Sequence, residues 1–76
     1  MPRYLNKHGD SPIIAYESGP TWILVRYQDG RVYRYTNAST GTTHVRAMKR
    51  LAEAGEGLST YISQQVRERY QEKRDR

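Results

Sequence analysis

Trp22-Ile23-Leu24-Val25-Arg26-Tyr27-Gln28-Asp29-Gly30-Arg31-Val32-Tyr33-Arg34-Tyr35 decides the fold, because apolar residues alternate on both sides of a turn sequence. Alternation with period two is the pattern of a strand, and Asp29-Gly30 between two such runs reads as a β-hairpin. A two-residue loop at Asp29-Gly30 would put Ile23, Val25 and Tyr27 on the face opposite Tyr33 and Tyr35. A three-residue loop, Gln28-Asp29-Gly30, with Gly30 in the left-handed region beside a bulge, pairs Tyr27 with Arg31, Val25 with Tyr33 and Ile23 with Tyr35. Ile23, Val25, Tyr33 and Tyr35 then share one face, and we adopt this register. The other face carries Trp22, Leu24, Arg26, Val32 and Arg34. It is not wholly polar, so Trp22, Leu24 and Val32 need cover from the N-terminal arm, a helix, strong sheet curvature or a second chain.

Upstream of the hairpin, Ile13-Ile14-Ala15-Tyr16-Glu17 reads as a short strand ended by Ser18-Gly19-Pro20. Residues 1–12 form an irregular arm in which Tyr4 and Leu5 are expected to dock on the body. Downstream, residues 37–42 read as a loop. Thr43 caps a helix from about His44 to Ala54, with Gly55 as its stop. Val45, Met48, Leu51 and Ala52 line one side of that helix, and Arg46, Lys49, Arg50 and Glu53 much of the rest. After Gly55-Glu56-Gly57, Ser59 caps a second helix from about Thr60 to Tyr70, with Ile62, Val66 and Tyr70 as its stripe. Residues 71–76 are a charged tail that continues the helix and frays. The order β-β-β-α-α predicts a single α+β domain over 13–70: a small bent antiparallel sheet with two C-terminal helices.

The chain has 76 residues, no cysteine and a formal net charge of +5. A chain of this size buries only roughly 60% of its unfolded surface, so its stability rests on a compact core, with self-association as the remaining source of help. Missing cysteines remove disulfides, thiolate metal sites and thiol chemistry. No apolar run is long enough to span a bilayer, and Met1-Pro2-Arg3-Tyr4-Leu5 lacks a signal-peptide core. A cytoplasmic protein with no membrane partner is therefore expected. Its positive field favours polyanions or acidic protein surfaces.

Three blocks carry a likeness to a known family. They are Ile14-Ala15-Tyr16-Glu17, then Ile23-x-Val25-x-Tyr27-x-x-Gly30-x-x-Tyr33-x-Tyr35, and finally Tyr61-Ile62-Ser63-x-x-Val66-Arg67-x-x-Tyr70. In order and spacing the chain resembles the KTSC domain over about Ser11 to Tyr70. That small module occurs at the C-terminus of some lysyl-tRNA synthetases and as stand-alone bacterial and phage proteins. Tyr27 stands where the family tends to have phenylalanine, and Ser63 where it favours asparagine. Ala52 to Leu58 departs from the family's Ser-x-Gly connection. The resemblance implies an Sm-like sheet and a nucleic-acid context, and it assigns no catalytic residue.

The residues themselves offer little chemistry. His8 and His44 are the only histidines and lack an arranged third ligand, so no metal site and no cofactor are expected. Asp10, Glu17 and Asp29 are explained by turns and a strand end, and Gly55-x-Gly57 lacks the strand and the Lys-Ser/Thr of a phosphate loop. A non-enzymatic protein is expected. The basic residues say more. Arg26 and Arg34 share a sheet face with Trp22, where a base could stack while guanidinium groups take phosphates. The competing and preferred placement buries Trp22 in the core and lets the arginines reach outward along their stems. Arg46, Lys49 and Arg50 form a second basic cluster on the first helix. Tyr27, Tyr33, Tyr35, Tyr61 and Tyr70 fit packed faces.

Two functions follow as expectations. The first is a small domain binding RNA or single-stranded nucleic acid through phosphate contacts from Arg26, Arg34, Arg46, Lys49 and Arg50, with Trp22 stacking if exposed. The alternative is a protein-interaction or homo-oligomerisation module, paired through the sheet or the arm, that binds no nucleic acid.

Overall fold

The hairpin takes the register that its three-residue loop demands. Strand β2 (Trp22–Tyr27) and strand β3 (Val32–Thr36) pair antiparallel, with Ile23 opposite Tyr35, Val25 opposite Tyr33 and Arg26 opposite Val32. The Tyr27 amide donates to the Arg31 carbonyl at 2.9 Å, and the Gly30 amide closes the turn on the Tyr27 carbonyl. Gly30 has φ of 93°, which a side chain would resist. Asp29 Oδ1 accepts from the Arg31 amide and completes the loop. The computed structural model describes residues 3–7, 9 and 11–74, so expectations resting on His8 and Asp10 lie outside the described residues.

Strand β1 (Ile13–Gly19) pairs antiparallel with β2, with an irregularity between Ile13 and Ala15. On the inner face of the sheet, Ile13, Ile23, Val25 and Tyr35 are buried. Helix α2 (Thr42–Ala54) lies over that face and turns Val45, Met48 and Ala52 into it. It begins before the expected Thr43 cap. Gly41, at φ 108°, accepts from the Val45 amide, while Asn37–Thr40 form a one-turn helix α1 capped by Thr36 and Ser39. Gly55 stops α2 as expected, in the left-handed region at φ 79°.

The second helix departs from expectation. It starts at Leu58 behind Gly57, not behind Ser59, as α3 (Leu58–Tyr61), widens into a π-helical turn over Ile62–Val66, and ends. Arg67 takes φ 39° and ψ −105°, and its amide donates to the Ile62 carbonyl. Ile62 and Val66 are buried, so the expected stripe is real for one turn. Tyr70 reaches the core cluster because the chain turns back, not because the helix continues. The buried Thr40 hydroxyl donates to the Arg69 carbonyl at 2.7 Å and fixes the return.

That return makes a fourth strand. The Gln71 amide donates to the Arg34 carbonyl, and β4 (Glu72–Arg74) pairs antiparallel with β3, so these residues are neither helix nor frayed. The result is an α+β fold with an open four-stranded antiparallel sheet in the order β1-β2-β3-β4. In the arm, Tyr4 is 3% exposed and its hydroxyl accepts from the Leu58 amide at 3.2 Å. Arg3 makes an isolated bridge to Ala15. Leu5 touches the body only at its surface: it is 64% exposed and lies against Gly55, where a side chain would collide with it. None of the described helices is long and apolar enough to cross a membrane.

Candidate nucleic-acid interface

Because strand side chains alternate, the register that buries Ile23, Val25 and Tyr35 sets a second face away from the helices. Three rows cross it. Gly19, Trp22 and Thr36 form one; Glu17, Leu24, Arg34 and Glu72 the next; Ala15, Arg26, Val32 and Arg74 the third. Leu24, Val32 and Arg34 are half-buried and Arg26 is exposed. A shallow groove of about 200 Å³ runs between Leu24, Arg26, Val32, Arg34, Glu72 and Arg74.

Trp22 is not in the core. It is half-buried on this outer face, because its place opposite Gly19 leaves room for the indole to lie over a residue without a side chain. The Arg34 guanidinium carbon sits 5.4 Å from the ring centroid, a cation–π contact. The same Arg34 Nε lies 3.8 Å from Glu72 Oε1, while Arg74 Nε donates to Glu72 Oε2 at 3.2 Å. One carboxylate thus serves two guanidinium groups, and these exposed pairs add little stability. Among the described residues, Arg26 has no carboxylate within ion-pair distance. The face presents a column of glycine backbone, indole and guanidinium, with further cations beside it.

The helix cluster lies elsewhere. With Val45, Met48 and Ala52 turned inward, helical geometry sends Arg50 nearly directly away from the sheet and Arg46 to one flank; both are exposed. Arg46 and Arg50 therefore do not join Arg26 and Arg34 on one surface. Lys49 is half-buried, and its ammonium donates to the Pro20 carbonyl at 3.2 Å, at the turn leading to Trp22. It braces that turn.

His44 is a tie between helices: its Nδ1 lies 2.7 Å from the Tyr61 hydroxyl, with the rings edge-to-face. No group of three or more metal-binding side chains occurs among the described residues. Gly19, Glu72 and Arg74 were missed by sequence reasoning. Gly19 could have been found by extending the strand register one strand further; Glu72 and Arg74 carry no such signal.

Adding a side chain at Gly19 tests the column. A Cβ there would fall inside the van der Waals envelope of Trp22 Nε1 and Cε2. Gly19→Ala should swing the indole into water and shift the emission of this sole tryptophan to longer wavelength, while far-UV circular dichroism stays unchanged. An unmoved emission maximum would mean the ring does not rest there.

No protein-family model, curated protein or solved structure matches this chain.

Proposed function

We propose that this protein is a small non-catalytic domain that binds single-stranded nucleic acid, RNA in particular, on the outer face of its sheet. The observation that carries this reading is Trp22 on a helix-free face, bearing the Arg34 guanidinium and flanked by Arg26 and Arg74. A base stacks on the Arg34 plane and extends the indole–guanidinium column; unpaired bases are bound on aromatic rings and arginine planes in this way. Arg26 and Arg74 take the backbone phosphates, which gives affinity with little sequence preference. The likeness to the KTSC domain supports the same reading through that family's synthetase context. The sheet is open, in the order β1-β2-β3-β4, so a kinship to Sm-like sheets is proposed on the KTSC likeness alone.

Fluorescence anisotropy with labelled single-stranded RNA, duplex DNA and an uncharged control, at two salt concentrations, tests the proposal. Single-stranded RNA should bind, quench Trp22, and weaken with salt by a log–log slope of about 0.7 per phosphate neutralised. No association at low salt overturns it.

A second reading, self-association through the same face, is favoured by Leu24 and Val32 flooring the groove. Light scattering at low micromolar concentration separates the two: a dimer that dissociates when RNA is added has the face in common, and a dimer indifferent to RNA uses it for pairing alone.

A further inference from the structure

The inner face of the sheet is not fully roofed. Beyond the end of α2, near the hairpin loop, Tyr27, Tyr33 and Tyr70 remain half-buried around the buried Tyr35. Tyr33 meets Tyr27 and Tyr70 edge-to-face at centroid distances of 5.4 and 5.0 Å and runs parallel to Tyr35 at 6.4 Å. These rings line a cleft of about 390 Å³, within the usual range of small-ligand sites, roughly 300–1,000 Å³. It lies on the opposite side of the sheet from the Trp22 column.

A second observation marks the same place. The π-helical turn Ile62–Val66 and Arg67, with its positive φ, form one wall of the cleft. Single π turns occur often at functional sites, and a non-glycine residue at such φ is held there by its surroundings. Here the strained backbone keeps Arg67 at the mouth. Lys73 also lines the cleft, its ammonium 5.8 Å from the Tyr33 ring centroid.

The charge at the mouth selects the guest. Asp29 is already paired with Arg31 at 3.4 Å, which leaves Arg67 and Lys73 facing Glu68. An aromatic cage for a cation needs an open ring and no competing charge; Lys73 already occupies the Tyr33 ring and Arg67 stands beside it. A flat, uncharged ring carrying an anionic group suits the cleft instead. Phenol hydroxyls around it can donate to and accept from the polar edge of a heterocycle.

We propose that this cleft binds one nucleoside monophosphate unit, its base against Tyr27 and Tyr70 and its phosphate at Arg67 and Lys73. The unit is either a free nucleotide or an unpaired nucleotide of a strand. The inference extends the nucleic-acid reading to a second surface and is tested separately from it, because the guest is a single nucleotide.

Nuclear magnetic resonance titrations of the full chain at low salt decide it, with tyrosine ring protons and the Trp22 indole proton read together. Uridine and adenosine 5′-monophosphates should shift the rings of Tyr27, Tyr33 and Tyr70. Ribose 5-phosphate and inorganic phosphate should bind about fivefold to 150-fold more weakly, since a stacked base contributes roughly 1–3 kcal/mol. Arg67→Glu should weaken the mononucleotide about tenfold, whereas Arg50→Glu, the same charge change on the exposed side of α2, should leave it unchanged. Arg67→Gly, which relieves the backbone, should weaken it too while raising the unfolding midpoint, so loss of binding cannot be ascribed to unfolding. A pentanucleotide that shifts the same rings at lower concentration identifies a strand as the source, and equal affinities identify the free nucleotide. Silent tyrosine rings up to about 10 mM mononucleotide, a free energy near 3 kcal/mol, overturn the proposal, as does ribose 5-phosphate binding equally well. An oligonucleotide that quenches Trp22 while mononucleotides leave the tyrosines untouched overturns the cleft and leaves the sheet-face reading standing.

Discussion

Tyr35→Ala should unfold most of the protein at room temperature, with a loss of about 3–5 kcal/mol in urea or thermal denaturation. Tyr35 is 1% exposed at the centre of the sheet, where it pairs with Ile23 and packs against Tyr33 and Tyr70. Truncation removes a whole aromatic ring and leaves a space that the sheet, pinned by its hydrogen bonds, cannot close. Stability in a small domain is commonly of the same order as that loss. Tyr35→Phe, which keeps the ring, should cost less than about 1 kcal/mol, because no hydrogen bond to the Tyr35 hydroxyl is present among the described residues. Equal losses for both variants would show that the hydroxyl, and not the ring, holds the core.

The phenolate form of the same residue brings a pH dependence. Burial, with neighbouring Tyr27, Tyr33 and Tyr70 adding like-charge repulsion, pushes the Tyr35 hydroxyl well above its ordinary value. Burial, then the charges of Tyr33 and Asp29, raises Tyr27 from 10.0 to about 12. A group whose folded pKa is raised contributes stability fully present below its unfolded value and lost as pH climbs through the folded one. Stability should therefore hold to about pH 10 and fall between pH 10 and 12, and the phenolate absorbance should rise together with unfolding. In Tyr35→Phe that alkaline midpoint should move upward. An unchanged midpoint would remove Tyr35 from the account.

Reversing Arg26 and Arg34, two of the three outer-face arginines, should abolish nucleic-acid binding. Arg26→Glu/Arg34→Glu and Arg46→Glu/Arg50→Glu lower the net charge equally, so long-range attraction falls by the same amount in each. What differs is the surface. Loss of two phosphate or stacking contacts, each worth about 1–3 kcal/mol, should weaken the sheet-face variant by on the order of 100-fold or more. Its salt slope should also drop, whereas the helix variant should lose only the shared electrostatic part and keep its slope. Equal losses in the two variants would mean that charge alone attracts the strand. A larger loss in the helix variant would move the interface to α2. Both variants should keep the wild-type circular dichroism, since Arg26, Arg46 and Arg50 are exposed and the Arg34 side chain makes only the cation–π contact on Trp22 and a weak pair with Glu72.

The hairpin was legible because two constraints agreed: the period-two pattern and a loop length that put Ile23, Val25, Tyr33 and Tyr35 together. Helix α2 was legible for the same kind of reason, with its stripe and Gly55 as its stop. The last helix was read too long because Val66 and Tyr70 keep helical spacing, and spacing cannot reveal that Arg67 leaves the helix. Strand β4 had no signal at all, since Glu72-Lys73-Arg74 contains no apolar or β-branched residue and pairs only because β3 offers a free edge. Sequence alone favours the core for Trp22 because the largest apolar side chain usually belongs there. Its seat over Gly19 depends on the β1–β2 register, a long-range property. Arg26 and Arg34 were correctly set on one face, while the distance of Arg46 and Arg50 from that face needed the helix–sheet packing.

The short, fully charged β4 has one more consequence. Without it, β3 would present bare amides and carbonyls beside Tyr33 and Tyr35, a template on which another chain could grow. Glu72, Lys73 and Arg74 satisfy that edge and offer their own outward edge only as a three-residue stub with a charge at every position. The stub is too short to seed a ladder. Glu72–Arg74 thus act as a gatekeeper against fibre growth for a sheet rich in aromatic residues.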